Sequence, residues 1–532
     1  MSIVIDDKKI TNINISNKNV QKIVDELTGK IIFEKTSSNE YFYIENTYDG
    51  GSNTISLITT IGSGNITGPH ATQLQYSKDK ETWTTIALNG TNTILMLLGE
   101  RVYFRNDSGG FNWYKDFNDS FYTQIKCSNN HKVGGNINTL LDYKNPNVTI
   151  TPFCFVMLFY ENKYLTDASE LIFPKTSLAE YCYQNMFQGC TSLTTAPELP
   201  ATTLADSCYY QMFYGCTSLT TAPELPATTL ANGCYSYMFS RCTSLVNVPE
   251  LPATTLANGC YSGIFNGCTS LTTSPVLPAT TLANECYSSM FNGCTSLTTA
   301  PKLPATTLAN YCYNNMFSGC KSLTTAPKLP ATTLARYCYS SMFSICSKLT
   351  VAPELPATTL ASNCYQDMFR NCTSLVNVPE LPATTLANNC YSSMFQKCTS
   401  LTTAPELPTT TLENYCYSSM FRDCTSLNTA PSLPATTLKM GCYYEMFRGC
   451  TSLTTAPELP ATTLATECYK YMFYDCYYLN NVTSYADDIS ASHCTYNWLY
   501  DVAATGTFRN LGSAKYSRGS SGIPYDWTEV KN

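Results

Sequence analysis

The sequence predicts an α+β solenoid preceded by a small all-β region, and three observations carry that expectation. A 26-residue unit, LPATTLAxxCYxxMFxxCTSLTTAPE, recurs twelve times without an insertion or deletion. Within the unit, unchanging apolar columns and variable polar columns separate onto two faces. The residues before the array alternate apolar with polar and are punctuated by Gly-containing turns, the pattern of short strands. A fixed period in the range of 20 to 50 residues is the mark of a stacked repeat architecture.

The unit is read from its cysteines. The first falls at Cys182 and then every 26 residues to Cys468, and the second follows eight residues later, from Cys190 to Cys476. Imperfect copies flank the twelve. Cys154, Leu158, Phe159 and Leu165 match the pattern before the array, with Asn162 in place of the second cysteine. Cys494, Trp498 and Leu499 match after it, with Val502 in that place. An open stack needs such atypical ends, because its end faces must not expose the core. Pro200 and Pro226 mark an irregular segment. Thr203 suits a helix N-cap, and a helix is expected from about Leu204 to Phe213. On a helical wheel, the Leu, Ala, Cys, Tyr, Met and Phe columns gather on one side and the varying columns on the other. Gly189, Gly215, Gly267, Gly293, Gly319 and Gly449 sit where a left-handed C-cap would close that helix. The Thr-rich TSLTTAPEL segment suits a short strand. Strands of neighbouring units would then form a parallel ladder at a spacing of about 4.8 Å.

The chain divides into four segments on this reading. Residues 1–35 form a short β-rich attachment module, with alternation in ITNINI and the run KIIFEK. Residues 36–150 form a β-sandwich-like domain, with turns at Asp49-Gly50-Gly51, Asn89-Gly90 and Asp107-Ser108-Gly109. Residues 151–485 are the repeat solenoid, and 486–532 its C-terminal cap.

Composition narrows the function. Charged residues make up only 13% of the chain and the net charge is −7, with no basic stretch, so phosphate-driven nucleic-acid binding is not expected. The longest apolar run, Ile150 to Tyr160, contains Pro152 and is too short for a bilayer, so no membrane insertion is expected. The 27 cysteines have three readings: disulfides, metal ligands or small core side chains. Two helical turns separate the pair within a unit, which is too far for a bridge. Equivalent cysteines of neighbouring units would point the same way. No CxxC pair occurs, and His70, His131 and His493 are scattered. Buried free thiols are therefore expected, with no metal and no cofactor. No Ser/His/Asp set or phosphate loop appears, and Asp487-Asp488 reads as a solvated turn, so no catalytic residue is assigned and the protein is not expected to be an enzyme.

Two surface columns could bind a partner. The variable helix face carries Tyr210, Gln211, Tyr214, Tyr237, Arg370, Arg422, Arg448, Tyr471 and Tyr474, and Tyr and Arg are frequent binding residues. A second column runs through Glu198, Glu224, Glu250, Val276, Lys302, Lys328, Glu354, Glu380, Glu406, Ser432, Glu458 and Ser484. The bland reading of both is solvated surface.

The run MFNGCTSLTTAPKLP, Met290 to Pro304, resembles a BspA-like leucine-rich repeat. That resemblance implies a curved leucine-rich-repeat solenoid used for adhesion by surface proteins. The unit here is slightly longer than the common form. QYSKDKETWTTIA, GERVYFRND, VGGNINTLL and the closing SRGSSGIPYDWTEV resemble a multidomain architecture of gut Bacteroidetes and their crAss-like phages. The opening ITNINISNKNVQKIV resembles short modules that attach phage fibres to the virion. No secretory signal is visible in MSIVIDDKK. Together these features lead to the expectation of a structural virion protein. It would be a tail or head fibre, made in the host cytoplasm, that recognises a host-surface glycan or protein. Its other partners would be virion proteins, met through the N-terminal region, and copies of itself in a trimer. The alternative is a bacterial cell-surface adhesin.

Overall fold

The computed structural model describes residues 22–24, 31–34, 40–145, 147–175 and 177–531. The ITNINI alternation lies outside them. Strands β1 (Lys22–Val24) and β2 (Ile31–Glu34), the latter from KIIFEK, pair antiparallel.

Nine further strands follow before the repeats: β3 (Phe42–Asn46), β4 (Asn53–Ile61), β5 (Gln73–Ser77), β6 (Thr84–Ala87), β7 (Thr91–Met96), β8 (Arg101–Arg105), β9 (Trp113–Tyr114), β10 (Ser120–Cys127) and β11 (His131–Asn136). Asp49-Gly50-Gly51 joins β3 to β4 and Asn89-Gly90 joins β6 to β7, as the turn residues predicted. One sheet has the order β7-β4-β10-β9. The other adds β12 (Leu165–Ile172) and runs β12-β11-β3-β8-β5-β6. Phe42 and Phe104 of one sheet and Ile55, Leu57 and Ile125 of the other enter one buried cluster. All pairings of β3 to β11 with one another are antiparallel, whereas β12, which lies in the first repeat, joins β11 in parallel. The ladder shifts register between His131 and Lys132 and again between Lys132 and Gly134, and Gly135 has φ +78. A Cβ on Gly135 would lie 2.1 Å from the Tyr41 carbonyl oxygen, so only glycine lets the backbone leading into β3 approach there.

The helix expected in every repeat is absent. Among the described residues one helix occurs, α1 (Thr139–Asp142), just ahead of the repeats. The segment from Leu204 to Phe213 is instead a chain of tight turns. Cys208, Tyr210, Met212 and Tyr214 donate their N–H groups three residues back, at 3.1–3.2 Å. The residues between them donate to the next repeat: Tyr209 to the Cys234 carbonyl at 3.0 Å, Gln211 to Ser236 at 3.0 Å and Phe213 to Met238 at 2.9 Å. Every fourth residue has a left-handed backbone: Ser207 (φ 53), Gln211 (φ 52) and Gly215 (φ 71). An α-helix allows neither feature. The α component of the expected fold class is thus overturned.

The expected strand and cap are corrected with it. Where ladders form, TSLTTAPEL contributes a single parallel bridge, such as Thr221 to Asn247. Thr203 caps no helix but forms a second bridge column with Thr229. The six glycines are left-handed as expected, with φ of 71–74, yet they close turns within the coil.

Side chains stack in register through the interior. Tyr209 lies 5.7 Å from Tyr235 with planes 1° apart, and Phe213 lies 5.5 Å from Phe239 at 4°. The tyrosine ladder runs from Tyr183 to Tyr469 and the phenylalanine ladder from Phe159 to Phe473. All 27 cysteines are free and buried. The second cysteine of each repeat also donates a hydrogen bond to the preceding repeat, as Cys216 does to the Phe187 carbonyl at 3.1 Å and Cys320 to Phe291 at 3.1 Å. The thiol is a donor to an inward-facing carbonyl as well as a small apolar filler.

Both ends of the stack are covered. The sheets take the place of a preceding repeat: Asn112 N donates to the Cys154 carbonyl at 2.9 Å, Asn112 Nδ2 to Val156 at 2.9 Å and Ile125 N to Leu158 at 2.7 Å. Asn162, which replaces the cysteine, donates to the Ile125 carbonyl at 3.0 Å. At the other end β13 (Asn481–Ser484), β14 (Thr507–Asn510) and β15 (Thr528–Lys531) form a parallel sheet. Trp498 sits at the Met column by backbone bonding, but its ring continues the tyrosine ladder, 6.0 Å from Tyr469.

Candidate functional site

The turn segments that replace the expected helices present their variable columns outward. The left-handed positions decide part of that variation. Two of these columns, one before and three after the first cysteine, hold Gly233, Gly259, Gly263, Asn315, Asn363 and Asn389 among others, residues that adopt positive φ at low cost. The same columns hold Tyr237, Tyr415, Glu445 and Tyr471, where a bulky side chain accepts that conformation. Such costly placements are pointers to function.

The nine candidate residues, all half-buried, divide into three groups. Tyr210, Gln211, Tyr214 and Tyr237 lie in adjacent early repeats, where Arg241 sits 5.5 Å from the Tyr214 ring centroid. Arg370 stands apart and pairs with Asp367 at 3.7 Å. Arg422, Arg448, Tyr471 and Tyr474 gather at the late end of the array.

The late group is organised by Glu445, a residue not singled out from sequence. Its carboxylate is 7% exposed and accepts from Arg422 Nη1 and Arg448 Nη1, each at 2.7 Å, from two neighbouring repeats. Burial opposes the charge of Arg448, but the Glu445 contact outweighs it and holds the guanidinium above its ordinary pKa. Arg448 then lies 4.7 Å from the Tyr474 ring centroid, and Tyr474 stacks on Tyr500 at 4.7 Å. Tyr471 packs edge-on against Tyr444, Tyr474 and Tyr496. Lys470 pairs with Glu467 at 2.7 Å, which holds the carboxyl below and the amine above their usual values. Tyr415 also donates to Glu467, at 3.2 Å. Tyr496 and Tyr500 occupy, in the capping repeat, the same columns as Tyr444 and Tyr474, so extending the column count past the last full repeat would have found them.

The second candidate column, with Glu198, Glu224 and Glu250, is exposed except at Ser484, which is buried in β13 because the cap sheet covers it; Ser432 donates to Glu406 at 3.0 Å, and Val276 is 78% exposed. Asp487 accepts from Ser513 N and Oγ and Asp488 from Ser490 N. These bonds hold both carboxyls below their usual range; the Asp488 bond closes a local turn, whereas the Asp487 bonds reach a residue 26 positions on. Burial pushes the interior thiols up, to about 12 for Cys372, which leaves them protonated and unreactive.

A stack of repeats that presents variable side chains on an unvarying interior defines a repeat-scaffold protein. A family profile described as BspA type Leucine rich repeat region (6 copies) matches residues 159–298, 258–402, 354–480 and 417–513. The chain belongs to the BspA-type leucine-rich-repeat family. That family is typically a non-catalytic scaffold for protein interaction. No curated protein matches the chain.

Proposed function

We propose that the chain is a structural protein of a bacteriophage virion. In this reading it is a tail or head fibre whose repeats form an extended solenoid and carry the surface that recognises a host cell. Residues 1–35 attach it to other virion proteins, and three copies assemble into one fibre. The repeats themselves suggest a surface adhesin or recognition role.

One observation supports the direction of this arrangement. Repeats from Cys260 to Cys338 carry mostly Ser, Asn or Gly in the outward columns, as at Ser288, Ser289 and Asn292, interrupted by Glu285, Tyr311, Arg336 and Tyr337. The last repeats carry Tyr444, Arg448, Tyr471 and Tyr474 there. Large side chains thus form an early group around Tyr210, Tyr214 and Tyr237 and a denser group at the end of the stack away from the sheets. A fibre anchored at its N-terminal side needs its contact residues at the other end.

Mass spectrometry of purified virions tests the virion assignment: peptides of the chain are expected in particles, and their absence overturns it. Retention of the full chain on Bacteroidetes cells tests recognition separately. A bacterial cell-surface adhesin is the second reading, favoured by the family match. Small-angle scattering tests the extended form, which a compact outline would refute.

A further inference from the structure

Resting on the recognition reading above, we propose that the tyrosine belt of the last repeats takes an uncharged carbohydrate. The exposed rings of Tyr477, Tyr496 and Tyr500 would stack on sugar rings, and the Asp475 and Asp501 carboxylates would accept sugar hydroxyls.

The charge inventory of the belt argues for this ligand class. Its two guanidiniums are both committed to Glu445 at 2.7 Å, and its Lys470 amine to Glu467 at 2.7 Å. Asp475 and Asp501 lie in neighbouring repeats, and neither carboxylate has a hydrogen bond or ion pair among the described residues. Among the described belt residues an anionic ligand would find no unpaired Arg or Lys, only His493 beside Tyr496 and bonded to Ser492, and two acids. A pyranose brings apolar C–H faces for the rings and hydroxyl donors for the acids.

The rings are presented for contact. Tyr477 is 52% exposed, Tyr496 41% and Tyr500 40%. Tyr477 follows Asp475 by two residues, and Asp475 N donates to the Tyr500 carbonyl at 3.0 Å, which sets these residues of the two repeats side by side. Tyr500 is positioned from beneath by a continuous series: Glu445 holds Arg448, Arg448 lies against Tyr474, and Tyr474 stacks on Tyr500 at 4.7 Å. Little ordering is left to occur when a ligand arrives.

The test uses the full chain and Bacteroidetes cells that retain it. Mild periodate, which cleaves the vicinal diols of surface sugars, is expected to lower retention at least about tenfold, as is the Tyr477→Ala/Tyr500→Ala variant. Raising the salt to about 1 M is expected to change retention less than about twofold, because no net charge is matched. The variant's thermal midpoint serves as the folding control, and Tyr500→Phe, which keeps the ring, is expected to retain binding. Retention that survives periodate identifies a protein partner, and retention lost in salt identifies a charged one; either overturns the carbohydrate assignment. Failure of the chain to bind any cell before treatment overturns the recognition reading instead.

Discussion

The two regions of this molecule solve one problem, the pairing of buried backbone groups, in opposite ways. The N-terminal sheets use contiguous ladders: β10 and β4 pair over seven consecutive residues, from Phe121–Ile61 to Cys127–Ile55. The repeats use almost no regular secondary structure. Alternate N–H groups of each turn segment close a local turn, and the others reach the next repeat 25 residues on. In the sheets, order rests on short segments that carry strand character on their own. In the stack, no repeat satisfies its backbone without a neighbour, so stability is a sum over interfaces. The difference teaches that a Cys/Tyr/Phe-rich interior can replace secondary structure when identical side chains meet in register.

The largest separation between the regions is expected at alkaline pH. Burial raises the thiols of the stack, with Cys242, Cys294 and Cys372 up to about 12 from the ordinary 9.0. The unfolded chain therefore ionises first as pH rises. The stabilisation is complete below about 9 and is lost toward 12, at about 1.4 kcal/mol per thiol per pH unit. The loss accumulates along both columns of cysteines as pH rises past 9, because burial raises every thiol in them. A thiol reagent should meet all repeat cysteines together in that window, whereas β3 to β11 contain only Cys127. Repeat thiols that stay protected at pH 11 would refute the account.

The joint between the regions should respond to acid. His131 is buried, its Nδ1–H faces the Asn129 carbonyl at 3.0 Å, and Asn162 Nδ2 meets its Nε2 at 3.0 Å. Burial lowers its pKa from 6.5 to about 4. The unfolded histidine therefore takes its proton first, so stability is full above about 6.5 and falls as pH drops toward 4. The loss is about 3 kcal/mol. Denaturant titrations at pH 7 and pH 4 should show this slope in the wild type and not in His131→Gln.

The same substitution should differ between regions. Cys320→Ala removes one of the two donors to the Phe291 carbonyl, leaving the Cys294 N–H at 3.0 Å, and with the lost packing is expected to cost about 1–2 kcal/mol. Cys127→Ala, in β10, removes only packing and is expected to cost about 1 kcal/mol or less. Equal losses in urea unfolding would mean that the thiol bonds contribute nothing.

The smallest effect is a gain. Ile345 is β-branched, 43% exposed and held at φ 63, in the column where neighbouring repeats place Gly293 and Gly319. Ile345→Gly should relieve about 1 kcal/mol of strain and raise the thermal midpoint slightly. A lowered midpoint would show that the side chain packs better than its exposure implies.

The expected helix failed for a legible reason. Leu204, Cys208, Met212 and Cys216 recur at four residues, whereas a helical stripe drifts by about 40° over each such step. Across twelve residues the inward face should have migrated; it did not, because the repeating element is a pair of turns. The small residues at Gly233, Gly259 and Asn363 carried the same message, since a left-handed residue every fourth position belongs to turns. The candidate site was legible by residue type at Arg422, Arg448, Tyr471 and Tyr474. The role of Glu445 was not, because an acid in a variable column gives no sign that two arginines from adjacent repeats will close on it.

By itself the sequence determined the 26-residue period, the inward and outward columns, the free buried thiols and the need for altered end repeats. All of these follow from composition at fixed spacing, and spacing survives in one dimension. Only the tertiary structure decided that the coils are turns, that the sheets stand in for a missing repeat and that the last tyrosines share one belt. Those depend on which neighbour receives each N–H group, and that neighbour lies some 25 residues away, beyond the reach of any local pattern.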